Sequence, residues 1–282
     1  MTSRRRLVLA LAAAAAAGPA AAKIRWREPP YPPDRPVRFI QHMGAAFIAD
    51  LEQRGAKAAL VFRAGLKRSD MPLETAYTHG AIWLRRELAP SLAPDDDPSD
   101  ALNTYVVFGL FTGDGVHEPR SHAVLRVERP ADFIRRSIAD DIGVVIPTAA
   151  MQDRLTALVA SPTYQALRLP RYSVLANPFR REFQNCDVFL LYLVGAAAWS
   201  TADPEAIRTR LIAEFEPTVI HTPPILTALA PLIDHRVSMA DQTGEARTAT
   251  YESISRFMVR QGLASDSYVF TSPTTGPAPE AG

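Results

Sequence analysis

Gln184-Asn185-Cys186-Asp187-Val188-Phe189-Leu190-Leu191-Tyr192-Leu193-Val194 is a helix-start signature running into an apolar stretch, and it holds the only cysteine of the 282-residue chain. Asn185 is a favoured N-cap, so the run after Asp187 reads as a buried helix with Cys186 in its first turn. Unpaired backbone N–H groups and the positive end of the helix dipole favour thiolate over thiol at such a position. A nucleophile needs that environment, and a structural cysteine does not. The partner it requires is a histidine. His79, in Tyr77-Thr78-His79-Gly80-Ala81-Ile82-Trp83-Leu84, leads a strand whose small residues Gly80 and Ala81 let a helix approach closely.

Outward from these two segments, four runs rich in β-branched or aromatic residues read as strands: Ala58–Arg63, Gly80–Leu84, Thr104–Leu110 and Ile142–Ile146. Helical patterning covers Ala45–Arg54, Ala149–Ala160, Cys186–Trp199, Pro204–Phe215 and Glu252–Arg260, with short strands around Val219 and at Arg247–Tyr251. No repeat or internal linker interrupts residues 40–265, and the domain is read over 45–265. The expectation is a single α+β domain with a central antiparallel sheet and the cysteine-bearing helix packed on it. Residues 23–44 read as a Pro-rich extension and 266–282 as a disordered tail.

Arg4, Arg5 and Arg6 followed by the apolar Leu7–Ala17 and an Ala-x-Ala site at Ala20 and Ala22 read as a signal peptide over residues 1–22. Ser3-Arg4-Arg5-Arg6-Leu7-Val8-Leu9 also resembles a twin-arginine export signal. The expected location is periplasmic or secreted, with no stable membrane insertion after cleavage. The formal charge of +1 loses three arginines on cleavage, and the near-neutral remainder gives no electrostatic case for nucleic acid. One cysteine excludes an internal disulfide.

Three segments together resemble a family of secreted bacterial proteins of unknown function: Tyr77–Trp83, Arg171-Tyr172-Ser173-Val174-Leu175-Ala176-Asn177-Pro178-Phe179, and Phe183–Cys186. More distantly, a histidine strand followed by Asn-Cys at a helix start is similar to the circularly permuted branch of the NlpC-type papain-like superfamily, in which histidine precedes cysteine. The resemblance implies a permuted papain-like domain and a thiol hydrolase or acyltransferase acting on amide, ester or thioester bonds. Cys186 would be the nucleophile and His79 the general base. A third polar group usually comes from the following strand, and in the nearer family a histidine often stands where this chain has Phe108. That departure leaves Asn103, Thr104, Tyr105 or a residue from elsewhere to orient His79.

Gln184 and Asn185 are candidates for orienting groups or oxyanion donors beside the Cys186 N–H, against the plainer reading that Gln184 bonds loop backbone. Tyr172 and Asn177 are candidate groove residues, though Asn177-Pro178 is first a turn signal. His117 and His122, and the acidic loop Asp95-Asp96-Asp97 with Asp100, lack metal-ligand spacing, so no metal and no cofactor is expected. No phosphate-cradling loop and no Gly-x-Ser-x-Gly elbow is present. The partner expected is a small-molecule or peptide substrate, cell-wall peptide being the class the compartment suggests. Two other readings stay open: a catalytically inactive papain-like binding module, and a redox-active thiol protein.

Overall fold

The computed structural model describes residues 36–93, 97, 100–221 and 236–271. The expected signal peptide, most of the Pro-rich stretch, most of the acidic loop and the end of the expected tail lie outside them.

The sheet grows from its centre. Strand β1 (Ala58–Arg63) is buried at every position, because alternate side chains enter two separate cores. It pairs antiparallel with β2 (His79–Arg85) on one side and β5 (Asp141–Pro147) on the other. Beyond β2 come β3 (Tyr105–Thr112) and the edge strand β4 (Ala123–Glu128), and beyond β5 lies the edge strand β8 (Ala264–Thr271). The six strands run in the order β4-β3-β2-β1-β5-β8, and every pairing is antiparallel.

Helices cover both faces. On one face, α1 (Val37–Gln53) and α2 (Pro130–Arg135) pack on Ala59, Val61, Ala81, Trp83, Val107 and Val144. Phe47 meets Trp83 edge-on at 5.3 Å, and Phe133 closes the other side of the indole. On the opposite face, Leu60, Phe62, Ile82, Phe108 and Val145 meet α3 (Ala149–Val159), α5 (Cys186–Trp199) and α7 (Tyr251–Arg260). The short α4 (Pro162–Ala166) adds Tyr164 to this core, and α6 (Pro204–Glu214) adds Ile207 and Leu211.

Helix α5 is apolar all round because it is enclosed all round; Cys186 through Ala197 are buried. A two-stranded ribbon of β6 (Thr218–Ile220) and β7 (Ala246–Thr248) sits apart from the main sheet. With Leu175 and Val237, residues Ile220 and Ala246 of this ribbon form a small satellite core.

Two domain boundaries move. Residues 37–44 belong to α1, whose Ile40 and Met43 are buried, so the extension ends earlier than its prolines suggest. Residues 266–271 are not tail: they belong to β8 and hydrogen-bond to β5 along Asp141–Ile146. The polar segment Ala264-Ser265-Asp266-Ser267 hides a strand because an edge strand tolerates polar side chains on its open face.

Candidate functional site at the start of helix α5

Asn185 caps α5 as its residue type requires. Its side-chain oxygen accepts from the Val188 N–H at 2.8 Å, and its Nδ2 donates to the Val174 carbonyl and the Thr248 hydroxyl. The amide therefore ties the helix start to the preceding loop and to β7. Gln184 acts as a staple as well. It accepts from the Leu169 N–H at 2.9 Å and donates to the Leu167 carbonyl at 3.2 Å, which occupies both ends of its amide. The plainer reading of Gln184 fits this placement, and an oxyanion role does not.

Helix α5 docks where β2 and β3 part. Their pairing stops at Ile82 opposite Phe108, so β3 leaves His79, Gly80 and Ala81 unpaired on that side while β1 still pairs through His79. The N–H of Gly80 is thus free to meet the Cys186 thiol and the Asp187 carboxyl. A side chain at Gly80 would clash here, since a Cβ would stand 2.6 Å from both Asp187 Oδ1 and Phe62 Cε1. The thiol itself donates to the Thr78 carbonyl, with Sγ at 3.9 Å, and the Tyr172 hydroxyl also approaches it.

His79 takes the other side of the strand. Alternation places Gly80 toward α5 and His79 toward α2, where its ring packs at a tilt against Phe111 at 4.5 Å and Phe133 at 5.7 Å. Among the described residues no hydrogen bond links Sγ to the imidazole, and the buried Nε2 has no partner. The structure brings Cys186 to the residue before His79, without pairing the two side chains.

The electrostatics correct the expectation of a preformed thiolate. Cys186 is 3% exposed, and burial, with the Asp187 carboxyl second, pushes its thiol well above the ordinary range. Desolvation and a neighbouring acid outweigh the helix N-terminus. Asp187 is pushed up to about 7, chiefly by burial, and its Oδ1 has no hydrogen-bond partner. Burial, then Arg63, then Arg136, hold His79 well below its usual value. At neutral pH thiol and imidazole are both uncharged.

The remaining candidates disperse. Asn103 and Tyr105 lie at the far end of β2, opposite Arg85; the Asn103 amide donates to the Asp97 carbonyl and the Tyr105 hydroxyl to the Ala56 carbonyl at 2.5 Å. Neither orients His79. Phe108 faces α5 and packs on Tyr164, on the face away from the imidazole. Tyr172 is at the site. Asn177 holds a turn, accepting from the Phe179 N–H and donating to the Asp241 carbonyl. His117 and His122 pair with Asp114 and Glu118 in a surface turn. Among the described residues no group of three or more His, Cys, Asp or Glu is arranged to hold a metal, and no helix is long and apolar enough to cross a membrane.

Two participants escaped the sequence reading. Asp187 is an acid in the first turn of an otherwise apolar helix, which is the signal that could have exposed it. Arg63 ends an apolar strand, 8% exposed, with its Nη1 donating to the Arg136 carbonyl at 3.0 Å. Residues 50–258 match a family described as an uncharacterized protein conserved in bacteria (DUF2145), and the chain belongs to that family. No curated protein and no solved structure matches it.

Proposed function

We propose that this member of the family is an exported thiol hydrolase or acyltransferase acting on amide, ester or thioester bonds, built on a permuted papain-like arrangement. The observation that carries the reading is the docking of the α5 start on the head of β2, with Cys186 Sγ 3.9 Å from the carbonyl that precedes His79. Chain order supports it too, since the histidine strand comes before the cysteine helix.

Because both groups rest uncharged, the chemistry is general-base catalysis rather than attack by a standing thiolate. A neutral imidazole is the competent form of the base. As Sγ attacks the acyl carbon, its proton passes to His79, which must first leave the Phe111 and Phe133 side of β2 where its ring rests. The S–C bond forms as the carbonyl π bond opens onto oxygen. Collapse expels the leaving amine, alcohol or thiol, which takes the proton from His79 and leaves a thioester on Cys186. Water or an acceptor then attacks that thioester with His79 again as base. With the Val188 N–H taken by the Asn185 side chain, the Cys186 N–H is the remaining oxyanion donor of the first turn of α5. Cell-wall peptide is the substrate class that export suggests.

A panel of aryl ester, thioester and peptide anilide substrates tests this. Turnover by the wild type that Cys186→Ala abolishes supports the reading, and no turnover of any member sinks it. The burial of Cys186 favours a second reading, a binding module that keeps the fold without the chemistry. An inert panel, with a ligand still bound, would select that one.

A further inference from the structure

Strand β4 is an edge, and its edge is closed at one end only. The Ala123 N–H donates outward to the Pro170 carbonyl at 2.9 Å, and the Ala123 carbonyl accepts from Arg168 Nη1 at 2.8 Å. His122 turns the other way, its carbonyl accepting from the Gly113 N–H. Alternation then directs the N–H and C=O of Leu125 and Val127 outward, like those of Ala123. Among the described residues nothing bonds to them.

Beside this open edge lies a groove of about 640 Å³, walled by Pro162, Gln165 and Ala166 of α4 and floored by Leu125. Arg168 stands at its closed end with one N–H committed to Ala123, and among the described residues the rest of its guanidinium has no partner. Glu118, at the same end, is turned to His122 Nδ1 at 3.3 Å.

We infer that this groove is a docking site for an extended peptide, which adds to β4 as an antiparallel strand and sets its C-terminal carboxylate on Arg168. Main-chain pairing with Leu125 and Val127 supplies sequence-independent affinity, and Leu125 and Ala166 receive an apolar side chain. The direction follows from charge. Segment 168–170 blocks the edge at Ala123, so the peptide must end there, and the group that complements a free guanidinium is a carboxylate. A peptide whose C-terminus points to the Ala123 end runs opposite to β4. The groove is also tied to the thiol site. Leu169, between the lining residues Arg168 and Pro170, bonds to Gln184, two residues before Cys186.

The test uses a fluorescein-labelled Val-Thr-Val-Thr-Val-Leu peptide, as free acid and as C-terminal amide, with anisotropy read on the Cys186→Ala chain so that binding is independent of any acyl chemistry. The free acid should bind about tenfold more tightly than the amide, the size of one charge-assisted hydrogen bond, and Arg168→Gln should erase the difference. Leu125→Pro removes one outward N–H at a position an edge strand tolerates, and should weaken both forms. Should that variant misfold, protection of the Leu125 and Val127 amides from exchange on adding the free acid replaces it. Equal affinity for acid and amide, or no saturable binding of either, would overturn the inference. So would a concentration-dependent dimer that Leu125→Pro dissolves.

Discussion

Burial, and after it Asp187, set the character of the thiol. A helix start alone would draw the Cys186 proton off, yet burial and the adjoining acid hold it on. Alkylation by iodoacetamide should therefore inflect above the ~8.5 of a free thiol. In Asp187→Asn the inflection should move down, because a source of negative charge is gone. An unchanged inflection in that variant would remove Asp187 from the account.

The same residue leaves a mark on stability. The unfolded chain releases the Asp187 proton near pH ~3.9, whereas the folded protein keeps it to about 7. The stabilisation this proton provides is complete below the unfolded value and is lost as pH rises to about 7. His79 contributes with the opposite slope: its folded value is depressed, so its contribution is present above ~6.5 and falls away as pH drops below it. Urea denaturation of wild type and Asp187→Asn between these limits separates the two. The variant should lose the decline toward neutrality and keep the His79 slope.

At the scale of elements, much was legible and the failures have physical causes. The runs Ala58–Arg63 and Cys186–Trp199 are observed at the boundaries read from sequence, because β1 is buried at every position and α5 is buried from Cys186 to Ala197. Strand β4 escaped because Arg126 and Glu128 interrupt its pattern, and β8 because its open face is polar. The site was half legible. Asn185 announced the helix start, but the face taken by His79 could not be read. Residues on both sides of β2 are apolar, so its sequence has no alternation to assign faces.

Gly80 is the hinge of that geometry. Gly80→Ala forces a methyl between Asp187 and Phe62, and should cost about 1–3 kcal/mol by lifting α5 from β2. A Cys186 that becomes more reactive in this variant would be the accompanying sign; unchanged stability and reactivity would mean the contact is looser than described.

Across the whole molecule, two cores share one sheet, and the edges hold the sheet to its outer helices. Strand β8 carries Phe270 onto Phe47 at 5.1 Å and the Tyr268 hydroxyl onto the Asp50 carboxylate of α1. A chain stopped after Leu263 should lose at least about 3 kcal/mol and roughly 6–12 °C in Tm. Calorimetry that finds the truncated chain as stable as the full one would show that the α1 face does not need its edge strand.

The central claim is that Cys186 accepts an acyl group with His79 as base. Single-turnover acetylation by p-nitrophenyl acetate, followed by intact mass, tests it most directly. The account predicts one acetyl group on Cys186, none in Cys186→Ala, and formation slowed by about a hundredfold or more in His79→Ala. An adduct that forms equally fast without His79, or no adduct at all, would contradict it.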